Sequence, residues 1–278
     1  MAKKLIFPAF IFGSVLLGLW LFSMGISFSF SALAVIAGVM VVLTFLERKF
    51  PHRVAWIPEK RTAVLDVQHT LLNSIFFSSF AKGVVAAAVT SLGLKNAFSP
   101  IHGLNFWIQL AIALLAADLF VYGLHRWFHR SDLGWKIHAV HHSIQKMHFW
   151  AAARSHPFNV IVITGAEVLV LEALGVSTEA ILAWTLWMSV NGLLQHCNLS
   201  QDTRFFDGWL STAAVHRIHH SKIAEIGNHN FGTTTMVWDR IFGTYLSPLV
   251  QPEPSEMGIQ NLEIRSSYRV HLRLPFRI

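Results

Sequence analysis

The chain has 278 residues, of which 53% are apolar and 13% charged, about half the charged share of an ordinary soluble domain. That composition excludes a strongly charged disordered chain, and a single cysteine, Cys197, excludes a disulfide-stapled secreted scaffold. The 22 Lys+Arg against 15 Asp+Glu leave a net charge of +7, which suits the cytoplasmic face of a bilayer as well as nucleic acid.

Between Lys4 and Glu47 lie 42 residues without a charged side chain. As helix that run is about 63 Å long, twice the roughly 30 Å hydrocarbon core, so it predicts two spans. The turn falls at Ser23 to Ser31, and the antiparallel hairpin leaves Lys3, Lys4, Arg48 and Lys49 on one side. A cleaved secretory signal ending at Ala32-Leu33-Ala34 is disfavoured, because the apolar run before it is too long and another follows at once. Thr70 to Leu94 is a weaker span with Lys82 in its middle, and Asn96 to Ala117, extending through Asp118 to Gly123, reads as a full span. Phe158 to Val176 is again weaker, with Glu167 and Glu172 inside it, and Ala180 to Gln201 reads as a full span.

After the Asn96 span come Arg126, Arg130, Lys136, Lys146 and Arg154, whereas Lys95 is the only cation near its other end. The positive-inside rule therefore assigns the Arg-rich segment to the cytoplasm. By parity Thr70 to Leu94 crosses outward, 158–176 and 180–201 form an out-and-back pair, and the chain from about Phe205 is cytoplasmic and ends without a further span. The predicted fold is all-α: a multi-span membrane protein with a histidine-rich helical region beside the bilayer. Residues 1–124 form an N-terminal transmembrane region of four spans, 125–247 a histidine-box region that includes a membrane hairpin at about 158–201, and 248–278 a C-terminal cytosolic tail. The chain has no solenoid repeat and no low-complexity tract.

Twelve of the 16 histidines lie between positions 125 and 229. At the end of the Asn96 span stand His125 and His129; then come His138, His141 and His142, and later His216, His219 and His220. Residues three and four apart share a helix face, so each box points two or three imidazoles at one spot. Neutral imidazole is a good ligand for iron, zinc, copper and nickel and a poor one for magnesium or calcium. Isolated histidines are usually ordinary surface or core residues, but eight in three boxes beside a bilayer would be costly without a partner. Eight exceed the coordination shell of one ion, and the economical reading is two metals close together.

Familiar alternatives fail on inspection. The sequence has no His-Glu-x-x-His and no Glu-x-x-His, which disfavours a zincin protease and a carboxylate-rich ferritin-like site. Gly-rich nucleotide loops are missing, one cysteine makes no thiolate cluster, and nothing demands nucleic acid.

From Asp118 to about Tyr245 the residues resemble the fatty acid hydroxylase/sterol desaturase superfamily of integral membrane di-iron enzymes. The motifs are Asp118-x-x-x-Tyr122-x-x-His125-Arg126-x-x-His129, His138-Ala-Val-His141-His142-Ser143, Arg154-x-His156-Pro157 and Gln195-His196-x-Asn198. They continue with His216-Arg-x-His219-His220-Ser221, Asn230-Phe231-Gly232 and Trp238-Asp239-Arg240-x-Phe242-Gly243-Thr244. The resemblance implies a helical membrane anchor with a cytosolic cap and two iron ions held almost wholly by histidine. It further implies activation of O2 to hydroxylate, desaturate or otherwise oxidise a lipid. Carried over by position, the ligands are His125, His129, His138, His141, His142, His216, His219 and His220, with His196 as a ninth. His156 and His229 are weaker candidates, and His229 departs from the family pattern.

Asp118 and Tyr122 share a helix face with His125, and the carboxylate lies about 10 Å inside the span. Asp118 is therefore a candidate to accept the N–H of a ligating imidazole, with an interhelical polar contact as its plainer role. Asp239 is a candidate for the same task or for pairing with Arg240. Arg154 and His156 either clamp the boxes or meet a lipid headgroup. Trp127, Trp135, Trp150, Trp184 and Trp187 read as interface belt and packing. His52, His69, His102 and His271 read as ordinary surface or interfacial residues.

The expected function is an O2-dependent lipid oxidoreductase that takes electrons from an external donor, a ferredoxin or a cytochrome with its reductase, because no flavin, haem or iron–sulfur motif is visible. A non-redox zinc protein and a metal transporter are the competing readings. Oxygen consumption coupled to a lipid product separates the first from both, and vesicle metal uptake singles out the transporter. The final residues Leu274 to Ile278 carry no receptor-read retention signal, which favours a bacterial inner membrane over the endoplasmic reticulum.

Overall fold

A computed structural model describes residues 2–95, 97, 99–262, 264 and 267–277. Asn96, where one span is predicted to begin, and the terminal Ile278 lie outside the described residues. The described residues are helical and contain no strand, only isolated antiparallel bridges such as Pro51 to Leu199 and Ser221 to Met257.

The first uncharged run folds as two helices, α1 (Ala2–Ser23) and α2 (Phe28–Lys49). Between them Gly25 takes a φ of +85° and the Ser27 hydroxyl accepts the Phe30 N–H at 3.4 Å, breaking one helix and starting the next. Next come α3 (Lys60–Thr70) and α4 (Ser78–Ser91), joined through a π-helical stretch Leu71–Phe77 into one rod, Lys60–Ser91. α5 (Phe106–Arg130) starts at Asn105, whose side chain accepts the Trp107 N–H at 2.9 Å. α6 (Asp132–His142) follows after one residue, Ser131, which ends α5 and caps α6 through Gly134 N–H at 3.0 Å. α7 (Pro157–Leu174) opens with a proline in its first turn and stops at left-handed Gly175; Ser177 then caps α8 (Thr178–His196).

The remaining helices are short: α9 (Ala213–His219), α10 (Ala224–Gly227), α11 (Val237–Ile241) and α12 (Tyr268–Arg273). Together with their loops they form a cap over one end of the long rods.

Five helices are long and apolar enough to cross a membrane: Lys3–Ser23, Phe28–Lys49, Lys60–Ser91, Phe106–Arg130 and Pro157–Leu174. The molecule is a multi-pass membrane protein. α8, expected as a full span to Gln201, ends at His196 and is not among the five most apolar helices, but it runs from the Ser177 end of the bundle to the Asn198 end, packed against α1, α2 and α5. Its buried residues include Asn191, Gln195 and His196, so its polarity is turned into the protein rather than towards lipid. The span expected from Asn96 begins at Phe106 instead, after a short 3-10 turn Ser99–Gly103.

The rods alternate in direction. At one end Lys3 reaches Ser200, Phe50 O accepts from Ser200 N–H, and Glu47 accepts from the backbone N–H of Phe149 and Asn198 at 2.9 and 2.7 Å. At the other end His102 bonds Gly175 O and Gln109 accepts the Ser177 N–H. Two apolar cores run along the bundle, one around Ala113, Ala117, Ala183 and Leu186, the other around Phe7, Leu43, Val190 and Leu194. α7 packs on α4 and α5 but barely touches α8, although the two are consecutive.

Described residues of the segment after 247 pack on the rest of the chain. Glu253 pairs with Arg53 and Arg217, Met257 bridges Ser221, and Leu274 packs on Ala139 and Val140 of α6. His69 and His271, expected as surface or interfacial residues, form a buried pair, Nε2 to Nδ1 at 2.9 Å, which pins α12 to α3. The reason lies in tertiary approach: 202 residues separate them, and each ring supplies the other's hydrogen-bond partner.

The α5–α6 corner is tight enough to test. A Cβ on Gly134 would lie 2.6 Å from the Phe128 Cα and 2.9 Å from the Trp127 carbonyl oxygen, both backbone. Gly134→Ala should therefore destabilise the protein by about 1–3 kcal/mol or more, as overpacking does. Gly123→Ala on α5 meets nothing within 4 Å and should be neutral or stabilising by up to ~1 kcal/mol. Thermal unfolding of the two variants in one detergent, compared with wild type, checks the contrast.

Candidate metal centre

Four helices deliver their C-terminal ends to one place: within its last two turns α5 brings His125 and His129, α6 brings His138, His141 and His142, α8 brings His196, and α9 brings His216 and His219, with His220 just beyond it. The ligand-capable nitrogens sort into two groups, each within 4.8 Å. One is His125, His129, His138, His142 and His219; the other is His141, His196, His216 and His220. All are buried except the half-buried His129. The groups abut, with the His142 and His220 rings stacked at 4.6 Å and His138 and His141 at 5.3 Å.

Hydrogen bonds fix the tautomers. His125 Nδ1 donates to Phe231 O at 2.8 Å, His129 Nδ1 to Asn228 Oδ1 at 3.0 Å, and His138 Nδ1 to Asn159 Oδ1 at 2.8 Å. His141 Nδ1 donates to Arg154 O at 3.1 Å, His196 Nδ1 to Gly192 O at 3.0 Å, and His219 Nδ1 to His229 O at 2.8 Å. A carbonyl oxygen only accepts, so each of these rings carries its proton on Nδ1 and presents a bare lone pair at Nε2.

Those lone pairs face one another. His125 and His138 are both locked, yet their Nε2 atoms stand 3.0 Å apart; His141 and His196 are both locked at 3.4 Å. Neither pair has a proton to share, and the contact is repulsive unless a cation lies between. Two nitrogens on opposite sides of one ion at about 2.1 Å stand about 4.2 Å apart, within the spread of each group. The donor set fits two metal ions.

Burial, reinforced by neighbouring rings, pushes the pKa of His138, His141, His142, His216, His219 and His220 well below the usual histidine value. The ring nitrogens His216 Nδ1, His220 Nδ1 and His219 Nε2 have no hydrogen-bond partner. Neutral rings with free lone pairs are the state a transition metal requires.

Asp118 and Asp239 play a different part from the one expected of them. Asp118 touches no imidazole; its two oxygens accept five hydrogen bonds from the backbone and hydroxyls of Thr233, Thr234 and Thr235. Asp239 accepts from the N–H of Phe231 and Gly232 and from the Thr244 hydroxyl, and does not pair with Arg240 among the described residues. Both carboxylates hold the 231–235 loop, whose Phe231 carbonyl orients His125. Carboxylates so fully supplied with N–H and O–H donors have no reason to reach further. Tyr122 bonds Thr244 at 3.0 Å and stacks on Phe242, supporting the same corner.

His156 and His229 lie outside both groups. His156 accepts the Phe158 N–H at the start of α7, and its other nitrogen faces Leu272 O. His229 contributes its backbone carbonyl to His219 while its ring bonds Ile226 O. Arg154 orients His141 through its backbone carbonyl, and its guanidinium is buried against Asp66 at 2.6 and 2.7 Å. Trp135 packs on His129 and His142 at 5.5 and 5.4 Å, closer to the site than a belt residue. Sequence reasoning missed Asn159, Asn228, Asp66 and the buried His148, 3.0 Å from Asp66. Only Asn159 left a trace, two residues past the Arg154-x-His156-Pro157 motif.

A family model described as fatty acid hydroxylase matches residues 110–244, which span every histidine of both groups. Residues 110–244 belong to the fatty acid hydroxylase family. The chain is similar to an ornithine lipid hydroxylase of Rhizobium tropici, 27% identical over 85% of this chain and 73% of that protein. It is also similar to a sphinganine C4-monooxygenase of Arabidopsis thaliana, 29% identical over 50% of this chain and 54% of the relative. An alkylglycerol monooxygenase of Danio rerio is 26% identical over 48% of this chain, but only 30% of that relative is covered. No solved structure matches the chain.

The depressed histidines give the fatty acid hydroxylase region a defined response to acid in metal-stripped protein. The unfolded chain takes up protons near pH 6.5 while the folded rings stay neutral to well below it, so the unfolded state binds more protons and stability rises with pH. Stability should be full above about pH 6.5 and fall steadily as pH is lowered through it. Melting of the chelator-treated protein between pH 8 and 5 reads this out. A flat profile would contradict neutral, buried rings.

Proposed function

We propose that this chain is a membrane lipid monooxygenase that holds two iron ions in its two histidine groups, using O2 and external electrons to hydroxylate or desaturate a lipid. The observation that carries the reading is the pair of Nδ1-locked contacts, His125 with His138 and His141 with His196, whose facing lone pairs need positive charge. His125, His129, His138, His142 and His219 would hold one ion, and His141, His196, His216 and His220 the other. Five imidazoles around one ion exceed the closed four-ligand shell of structural zinc, and histidine without thiolate suits iron. The family and the lipid hydroxylase and monooxygenase relatives support the same conclusion.

When bound, two irons supply the activation of O2 and the oxidising power needed at an unactivated C–H bond. The chain supplies position and dryness. A cavity of about 280 Å³ between α5, α7 and α8 touches His125 and His138 of one group and His141, His196 and His216 of the other. Its walls include Val121, Phe128, Ile163 and Met188, which keep water from the reacting carbon and suit an alkyl chain. A second cavity of about 240 Å³ reaches His129, His142 and His219 from the cap side, beside Trp135 and Lys222. Lipid would enter through the first cavity, and the second leaves a separate approach for water and O2.

The electron donor would be a ferredoxin or a cytochrome with its reductase. The site end of the bundle would face the cytoplasm, since Arg126, Arg130, Lys136 and Lys146 gather there, and the bilayer would be a bacterial inner membrane. In domain terms, 1–124 would anchor, 125–247 would hold the metals, and 248–278 would brace the cap.

Purified protein from iron-sufficient cells should contain about two irons per chain, and an iron-57 sample should give the Mössbauer spectrum of a coupled pair. His219→Ala and His141→Ala, one from each group, should each lower iron content and abolish lipid oxidation. Zinc alone, persisting after anaerobic iron reconstitution, would sink the oxidase reading; a fully loaded and active variant would sink the ligand assignment.

A further inference from the structure

The cavity between α7 and α8 has one feature that metal binding does not use. Asn159, Ile163 and Glu167 stand four residues apart on α7, so one helix face lines it from the metal-binding rings outward. Asn159 is tied to His138. Glu167, eight residues on, lies about 12 Å further along the helix, at membrane depth, opposite Met188 and Gly192 of α8. Gly192 would meet nothing within 4 Å if it gained a Cβ, and α7 and α8 barely touch, so this side of the cavity is open between the two helices.

Every other carboxylate near the site is satisfied. Asp118 takes five hydrogen bonds from the 233–235 stretch, Asp239 three, and Asp66 is clamped by Arg154. Glu167 makes no hydrogen bond and no ion pair among the described residues; the charges it feels are Lys82, on the outer face of α4, and Asp118. A carboxyl group inside a membrane protein without a partner is costly, and such groups mark sites where something polar passes or binds.

We propose that Glu167 is the specificity residue of this cavity, accepting a hydrogen bond from a hydroxyl or ammonium group on the lipid while the chain beside it lies against the metal-binding histidines. The inference rests on reading the cavity as the substrate's. It assigns the substrate class: an amphiphile with a hydrogen-bond donor, in preference to a plain ester chain. A site built to hydrogen-bond a donor discriminates against the analogue lacking it, because the acceptor, here the half-buried Glu167 carboxyl, is then left unpaired away from bulk water.

Direct binding of three tritiated lipids of similar chain length to the metal-loaded protein in detergent tests this without turnover: 1-O-hexadecylglycerol, sphinganine and hexadecyl acetate. Wild type should bind the first two about tenfold or more tighter than the acetate. Glu167→Leu should erase that preference and leave acetate binding unchanged. Glu167→Gln keeps an acceptor oxygen without charge, so it should hold the glycerol ether within about threefold while weakening sphinganine. Ile163→Ala, on the same face, should weaken all three alike. If Glu167→Leu and Glu167→Gln weaken all three lipids equally, or none, the group is only a packing element and the proposal falls. Product formation is measured separately. Donor-selective binding without oxidation would refute the monooxygenase reading and leave this one standing, and oxidation with selectivity indifferent to Glu167 would do the reverse.

Discussion

Nine imidazoles can share one buried spot only if their lone pairs converge on positive charge, and the rest of this structure follows from that requirement. A neutral ring must be told which nitrogen to protonate, and six of the nine are told by a carbonyl or amide oxygen at Nδ1. Those oxygens come from places that must themselves be held still: the 228–232 loop, the turn before α7, the first turn of α7, and the end of α8. The buried polar network around the site is best understood as the apparatus that holds them.

Asp118 and Asp239 illustrate how far the requirement reaches. Each acts at one remove, fixing Thr233 to Thr235 and Phe231 to Gly232 so that the Phe231 carbonyl meets His125. Arg154 does the same on the other side: its guanidinium is locked to Asp66 on α3, and its carbonyl orients His141. Through that ion pair a membrane-crossing rod is coupled to a metal-binding ring. Breaking a buried pair by removing one partner strands an uncompensated charge, so both ends must be kept together. His69 and His271 brace the same region from the C-terminal segment.

The sequence made the nine ring positions legible because helix geometry is local: spacings of three and four put His125 with His129 and His216 with His219 and His220 on one face. It made the span count nearly legible for the same reason, since an uncharged run has a length. What it hid is whatever depends on approach between distant segments. The Phe231 carbonyl is 106 residues from His125 and leaves no mark on the side-chain string. The partners of Asp118 lie 115 to 117 residues away, so its acidity could be noticed but not its task. For α8 the apolar run was legible but its inward face was not: Asn191, Gln195 and His196 turn in to bond the 211–233 region and meet the other rings. His69 and His271 looked isolated for want of a neighbour in sequence.

The direction of the helices completes the electrostatics. Six of the nine rings come from the last turns of α5, α6, α8 and α9, His125 and His138 stand one turn earlier, and His220 caps α9. A helix C-terminus carries about half a negative charge on its unpaired carbonyls. Four such ends gathered at one spot favour cations there before any ligand bond forms, in a place where burial already keeps the rings neutral. The same arrangement suits a site with no carboxylate among the ring nitrogens: backbone dipoles supply part of the negative potential that glutamates supply in carboxylate-rich di-metal bundles. That leaves the acids of this protein free for other work, Asp118 and Asp239 for the loop, Asp66 for Arg154, and Glu167 for the open side of the cavity.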